Sequence, residues 1–542
     1  VEVEKARKLE PACYLKCTDG MVVHTESAKV IASRKAVLEF ILVNHPVDCP
    51  ICDQAGECKL QDYYMAYDAQ PSRVNTQKVG KSKVYPLGPN VVYDGERCIL
   101  CTRCVRFCDE ITGTSELTVV ERGDHSEIRT FPGRELDNPY AMNVTDLCPV
   151  GALTTRDFRF KCRVWLLTST DSVCVGCSKG CNVHMEHFRG EVQRYRPRFN
   201  PQVNEYWMCD AGRMSYKDVH ATRATAIRVH GEAVAAWPRA ARKVAAELRE
   251  ASAGGSVAFV ASAQASCEGL YAAHAFATAS LPGATTYWSG CADGDADELL
   301  IRSDKNPNRA GVAAVFGDDT MRRDARQLLA DLEGGRIQVL YMMGSELPFD
   351  DEGRRRFTAA ASRLRLFVVQ PRHVDATVDA AHIVLPAATH AEQEGTFINE
   401  DGLVQPFSQA LEPAGADCLI HWSREAPAGL PELAQRCGVR MLRMEDGFVR
   451  SVGLGSDLIR PLSLVLDERG IYFDPGQESD LEHLLNTRAF DDGDRTRAKA
   501  VRAFIVEHGI TKYNIEPRAR ADWPHGGRTV VLVPGQVEDD AS

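Results

Sequence analysis

The sequence predicts an α/β multidomain protein in which small cysteine-rich domains precede a doubly wound α/β region. Three observations lead there. The chain has 542 residues, more than one ordinary core organises, so several domains are expected. Fifteen of its 19 cysteines fall within the first 209 residues, in tight local groups. Further on, the short apolar runs SVAFVAS (256–262), IQVLYMMG (337–344) and LRLFVVQ (364–370) alternate with helical text such as AARKVAAELREA. That alternation is the signature of stacked strands and helices in α/β layers.

Composition narrows the function. Apolar content of 44% allows packed interiors, and a net charge of -11 argues against nucleic acid as the main partner, which would call for a basic face. The sequence shows no signal peptide and no apolar run near eighteen residues, so no direct membrane span is expected. Cysteine clusters in a long chain without a secretory signal point to metal ligation in a reducing compartment rather than to disulfides.

The first group follows SRKAVLEFILV (33–43), which reads as a short helix capped by Ser33 and stopped near Pro46. His45, Cys49, Cys52 and Cys58 then form H-x3-C-x2-C-x5-C. A single zinc ion would suit three thiolates and an imidazole. The second group favours iron, because Cys98, Cys101 and Cys104 make C-x2-C-x2-C, a run that wraps three corners of a cuboidal cluster. Two cysteines compete for the fourth corner. Cys108 completes a local spacing but precedes Asp109, whereas Cys148 precedes Pro149, as in the Cys-Pro ligands of bacterial-type ferredoxins. Cys148 is therefore taken as the ligand and Cys108 as a spare thiol. The third group, Cys174, Cys177, Cys181 and Cys209, reads C-x2-C-x3-C-x27-C. Alone it would also suit a zinc ribbon, but three sites in one chain favour a common explanation, three 4Fe-4S clusters. Replacing one thiolate by neutral imidazole at the first would remove a negative charge and ease reduction.

The order of these groups, with LCPVGALTTRDFRFKCRVW (147–165) and WMCDAGRMSYK (207–217), resembles the large iron-sulfur G subunit of bacterial NADH:quinone oxidoreductase, respiratory complex I. The resemblance runs from Val1 to about Pro413. It implies electron transfer from a flavin-bearing subunit toward quinone-side subunits, by an electron-carrying part of an oxidoreductase that makes no bonds itself. It also implies a cytoplasmic protein held peripherally at the inner membrane through the complex. In that family a ferredoxin-like domain with a 2Fe-2S cluster comes first. VEVEKARKLEPAC resembles its tail, with Cys13 in the place of the fourth ligand. The other three would precede Val1, so this cofactor site is not expected to form, and Cys17 and Cys162 depart from the family pattern.

Beyond the third group the text resembles the molybdopterin oxidoreductases, with DKNPNRAGV (304–312) and AAHIVLPAATHAEQEGTFINEDGLVQ (380–405) as landmarks. Enzymatic members carry a basic residue two positions after the last cluster cysteine. Here that position is Ala211, and no serine or cysteine metal ligand is evident, so no molybdenum is expected.

From about Cys418 the text resembles capsular polysaccharide proteins that transfer Kdo, including EDGFVRSVGLG (445–455) and VLVPGQVEDDAS (531–542). The resemblance places Glu445 and Asp446 at a glycosyl-transfer site, where a carboxylate acts as base or nucleophile. This partial module is expected to be inactive, and the seam near 416 is read as a join of two unrelated texts. The expected domains are thus 1–25 (the 2Fe-2S remnant), 26–85 (the cluster with one histidine and three cysteines), 86–165 (ferredoxin-like cluster), 166–416 (molybdopterin-oxidoreductase-like, opening with the third cluster) and 417–542 (Kdo-transferase-like). Three rivals to the electron-carrying reading are the α subunit of an NAD-dependent formate dehydrogenase, a zinc-stabilised binding module, and a glycosyltransferase acting through the C-terminal text. The formate dehydrogenase carries two ferredoxin clusters between its outer sites and an active molybdenum centre, and this chain shows one such cluster.

Overall fold

A computed structural model describes residues 1–67, 73–234, 237–413, 418–422, 440–446, 464–470, 476 and 478–508. The chain divides into two compact units, Val1–Ala414 and Gly415–Ser542.

In the larger unit a short antiparallel ladder, Glu2–Val3 with Val23–His24, precedes helix α1 (Ala28–Leu42), capped by Ser27, whose side chain accepts from the Val30 amide. The helix thus starts well before Ser33, which lies inside it rather than at its cap. After the first cysteine loop comes α2 (Lys59–Tyr67). The second loop leads into α3 (Arg103–Glu110), and α4 (Asn143–Leu147) ends at Cys148. Small antiparallel ladders brace this region, among them Tyr85–Pro86, Val91–Tyr93 and Leu153–Thr155 in one sheet. A three-stranded antiparallel sheet, Thr168–Val173, Asn182–Phe188 and Glu191–Pro197, follows. Cys174 leaves its first strand and Cys181 enters its second, so the hairpin loop presents both. Helix α5 (Asp210–Met214) has Cys209 as its N-cap. One core joins these pieces, with Tyr93, Phe107, Val144 and Tyr195 all buried in it.

The second half of the unit is the expected doubly wound layer. Its seven-stranded sheet runs Glu232–Ala233, Arg228–Val229, Ile383–Val384, Leu366–Gln370, Val339–Met343, Val257–Ser262, Thr285–Ser289 in spatial order. The last five are mutually parallel and the first two form an antiparallel edge hairpin. Side chains alternate across a strand, and here the two faces feed two cores. Val260, Leu340, Met342, Phe367 and Val369 pack with Leu328 and Phe357 on one side. Phe259, Val339, Tyr341, Leu366 and Val368 pack on the other against α6 (Trp237–Ser252) and α7 (Cys267–Ser280), through Val244, Leu248 and Ala277. Burial on both faces explains why these strands read as continuous apolar runs rather than alternating ones. Phe367 is fully buried and meets Phe357 edge-on at 6.2 Å between ring centroids. A Phe367→Ala chain should lose about 3–5 kcal/mol of stability in this unit, read as a lowered denaturation midpoint.

In the smaller unit, Cys418–Trp422 runs parallel to Arg440–Asp446, which pairs antiparallel with Leu464–Asp467. Helices Asp480–Thr487 and Asp492–Glu507 follow. Glu445 and Asp446 end the middle strand, opposite Val465 and Leu464, and their side chains lie outside the described residues, as do residues 447–455 and 531–542 of the quoted segments.

Candidate iron-sulfur sites

The first ligand loop is held by backbone chemistry before any metal is considered. A single 3-10 turn over Cys49–Ile51 brings the Cys52 amide to the Cys49 carbonyl at 3.1 Å. Lys78 donates to the carbonyls of Leu42 (2.8 Å), Val43 (3.0 Å) and His45 (2.8 Å), so one ammonium satisfies the open end of α1 and fixes the turn into the loop. Buried Arg97 clamps Asp48 at 2.8 Å from the other side. His45, Cys49, Cys52 and Cys58 then line one cavity, together with Leu60, Tyr64 and Gly151. Burial lowers the His45 pKa and so favours the neutral ring. Its Nδ1 is buried with no hydrogen-bond partner among the described residues, an orphan that a metal would satisfy.

Cys98, Cys101, Cys104 and Cys148 line a second cavity, with Tyr93 and Ile128 among its walls. Leu100 and Thr102 adopt left-handed φ values of 53° and 58°. Side chains other than glycine seldom sit there, and here the two turns curl the C-x2-C-x2-C run so that its three thiols share one centre. The Cys104 thiol is pushed up to about 12, first by burial and then by Cys148, Cys98 and Cys101. Cys148 is likewise pushed up to about 12, by burial and then by the thiols of Cys98 and Cys101. Cys108 is not among the residues lining this cavity. It is fully buried in the core, and after burial it is Glu116 and Asp109 that raise its pKa.

The third set converges at the base of the antiparallel sheet. The Cys174 amide donates to the Cys181 carbonyl at 2.8 Å, closing the hairpin loop. The Gly176 amide donates to Cys174 Sγ at 3.5 Å and the Gly212 amide to Cys209 Sγ at 3.3 Å. Gly180, just before Cys181, takes a φ of +64°. Burial, then Cys209, pushes Cys174 up to about 12, and burial followed by Cys174, Cys177 and Cys209 raises Cys181 well above the usual thiol range. A Cβ on Gly212 would stand 3.0 Å from Cys174 Sγ and 3.2 Å from Cys209 Sγ. Gly212→Val should therefore push both sulfurs out of place and remove about four irons per chain, checked by iron analysis after anaerobic purification.

Buried thiols that raise one another's pKa are costly as bare thiolates, and a cationic core at their centre removes that cost. A zinc ion holds its thiolates about 2.3 Å away, which sets them within about 4 Å of each other. Among the described residues, no three His, Cys, Asp or Glu side chains are grouped to clasp one ion. The first two sets line small cavities.

Residues 148–151 join the first two sites. Cys148 lines the second cavity, the Pro149 carbonyl lies 3.7 Å from the Cys58 thiol, and a Cβ on Gly151 would come within 2.4 Å of Cys52 Sγ. The remaining cysteines of this region stand apart. Cys13 and Cys17 are exposed, and half-buried Cys162 points its thiol at the Arg163 carbonyl, 3.5 Å away. Ala211 is exposed beside the third set. A cavity of about 420 Å³ opens beyond the carboxyl ends of the parallel strands, lined by Ser262, Gln264, Ser266, Gly344 and Arg372. Sequence reasoning missed Lys78, Arg97 and the two left-handed residues. Lys78 and Arg97 act across tens of residues, and Leu100 and Thr102 carry no glycine signal.

Sequence-family models match five segments: the NADH-ubiquinone oxidoreductase-G iron-sulfur binding region over 34–73, the ferredoxin-like domain of NADH-quinone oxidoreductase subunit 3 over 88–154, and the NDSU1/NuoG-like 4Fe-4S domain over 167–217. Molybdopterin oxidoreductase matches 308–417 and capsule polysaccharide biosynthesis protein 417–525. The NADH-quinone oxidoreductase G subunit of Rickettsia felis is 38% identical over 252 residues, 46% of this chain and 37% of that protein. The G subunit of Streptomyces coelicolor is 41% identical over 219 residues, 40% of this chain and 26% of that protein. The NADH-ubiquinone oxidoreductase 75 kDa subunit of Reclinomonas americana is 44% identical over 216 residues, 40% of this chain and 31% of that protein. The chain thus spans 37% or less of the length of these relatives. The matches bear out the resemblance to the complex I G subunit, the α/β multidomain class, and the change to capsule-type text near residue 417.

Proposed function

We propose that this chain carries electrons through three 4Fe-4S clusters as the G-subunit part of an NADH:quinone oxidoreductase, receiving them on the side of the flavin subunit and passing them toward the quinone-side subunits. The observation that carries the reading is the convergence of twelve predicted side chains into three sets. His45, Cys49, Cys52 and Cys58 would hold the first cluster, Cys98, Cys101, Cys104 and Cys148 the second, and Cys174, Cys177, Cys181 and Cys209 the third. Such a cluster supplies one-electron redox chemistry. The protein supplies the rest: it buries Cys52, Cys58, Cys104, Cys174 and Cys181, aims backbone amides at Cys174 and Cys209, and sets the first two sites on either side of one tetrapeptide.

Cys13 belongs to none of the three sets, so no 2Fe-2S cluster is assigned to it. The molybdopterin-like layer is read as scaffold without molybdenum, and the Kdo-transferase-like module as lacking activity. Among the described residues no helix is long and apolar enough to cross a membrane. A cytoplasmic position, peripheral to the inner membrane and held there by the other subunits, suits the reading. The test is to mix the anaerobically reconstituted chain with a flavin-bearing NADH-oxidising subunit and NADH. The visible iron-sulfur absorption should bleach within the mixing experiment, and bleaching no faster than with NADH alone would contradict the assignment.

A further inference from the structure

A network of ion pairs ties together the three ligand loops. Glu57, the residue before Cys58, accepts from Arg194 at 2.8 and 3.2 Å and from Arg196 at 3.2 Å. Arg196 also donates to Asp146 at 3.3 Å, and Asp146 stands two residues before Cys148. Asp146 in turn accepts from buried Arg213, four residues after Cys209. Glu186 completes the set by pairing with Arg194. Both central arginines lie on the strand Glu191–Pro197, so a single strand reaches the first two loops directly and the third through Asp146 and Arg213. Three guanidinium groups face three carboxylates, and the network is neutral as a whole. Burial alone would raise the Asp146 pKa, but Arg213 and Arg196 outweigh it and hold the carboxyl below its usual range. Glu57 and Glu186 likewise overcome the effect of burial on Arg194 and hold its pKa above the ordinary value.

We propose that this neutral ion-pair chain, Glu57–Arg196–Asp146–Arg213 with Arg194 and Glu186, is a positioning device that sets the reduction potentials of the three clusters jointly; the inference rests on the three-cluster reading above. Reducing a cluster adds one negative charge. Inside a protein that charge responds strongly to fixed charges nearby. Removing an acid leaves the network positive and eases reduction. Removing an arginine leaves it negative and opposes reduction. A merely structural strut would have no such sign rule, because either loss would loosen the same loops.

The test is an EPR-monitored redox titration of the full reconstituted chain. In Glu57→Gln the first cluster should become roughly tenfold easier to reduce, a rise of about 59 mV. In Arg196→Gln it should become harder to reduce by a similar factor, while Arg196→Lys should stay close to the unmodified chain. Asp146→Asn and Arg196→Gln, read at the second cluster, give an independent pair of opposite signs should Glu57→Gln fail to assemble the first. Opposite signs support the inference. Shifts of the same sign, no shift, or a lysine variant displaced as far as the glutamine variant overturn it. An unmodified chain that builds no clusters contradicts the three-cluster reading itself, and the inference falls with it.

Discussion

A Cys148→Ser chain, purified and reconstituted without oxygen, should carry about four fewer irons than the unmodified chain, while Cys108→Ser should keep the full complement. Both residues are cysteines within reach of the C-x2-C-x2-C run in sequence, and a local-spacing argument would choose Cys108. The structure places Cys148 at the wall of the cavity that Cys98, Cys101 and Cys104 share. Cys108 is packed in the core on α3 and does not line that cavity. Serine is a poor substitute because its alkoxide is far less accessible than a thiolate at neutral pH. Iron and sulfide analysis, with the remaining EPR signals as a control for folding, reads the result. Equal iron loss in both variants, or loss in Cys108→Ser alone, would reverse the assignment.

His45→Cys should keep the first cluster and make it harder to reduce by a factor of ten or more, a fall of about 59 mV for each tenfold step. The reasoning is electrostatic. Half-buried His45 favours its neutral form, so it contributes no negative charge to the cluster, whereas cysteine contributes a thiolate. The pocket already holds three sulfurs, and the pinning of the His45 carbonyl by Lys78 is independent of the side chain. A redox titration of that cluster's EPR signal measures the effect. An unchanged potential would mean that the imidazole does not touch the metal, since a remote ring exchanged for a remote thiol changes little.

How much of this was legible in the sequence depends on how local the cause is. The strands around Val260, Leu340 and Phe367 could be read because a central parallel strand buries both faces and so becomes a run of apolar, β-rich residues. The three ligand groups could be read because cluster ligation needs thiols at short, fixed spacings. Helix α1 starts before Ser33 because the cap hydrogen bond forms at Ser27 and the helix runs on from there into the apolar stretch after Ser33. Long-range devices left no mark. Lys78 is 33 residues from the His45 carbonyl that it holds, and Arg194 is 137 residues from Glu57. Charged residues at such separations look like ordinary surface residues until the fold brings them together. Leu100 and Thr102 were silent for a different reason, since their left-handed backbone is imposed by the loop rather than encoded by glycine.

Mössbauer spectroscopy of the full chain, reconstituted anaerobically with iron-57 and sulfide and assayed in parallel for zinc, addresses the centre of the account. Three four-iron clusters, giving about twelve irons per chain with matching sulfide, are the expected result. A colourless protein holding stoichiometric zinc and no sulfide would contradict it.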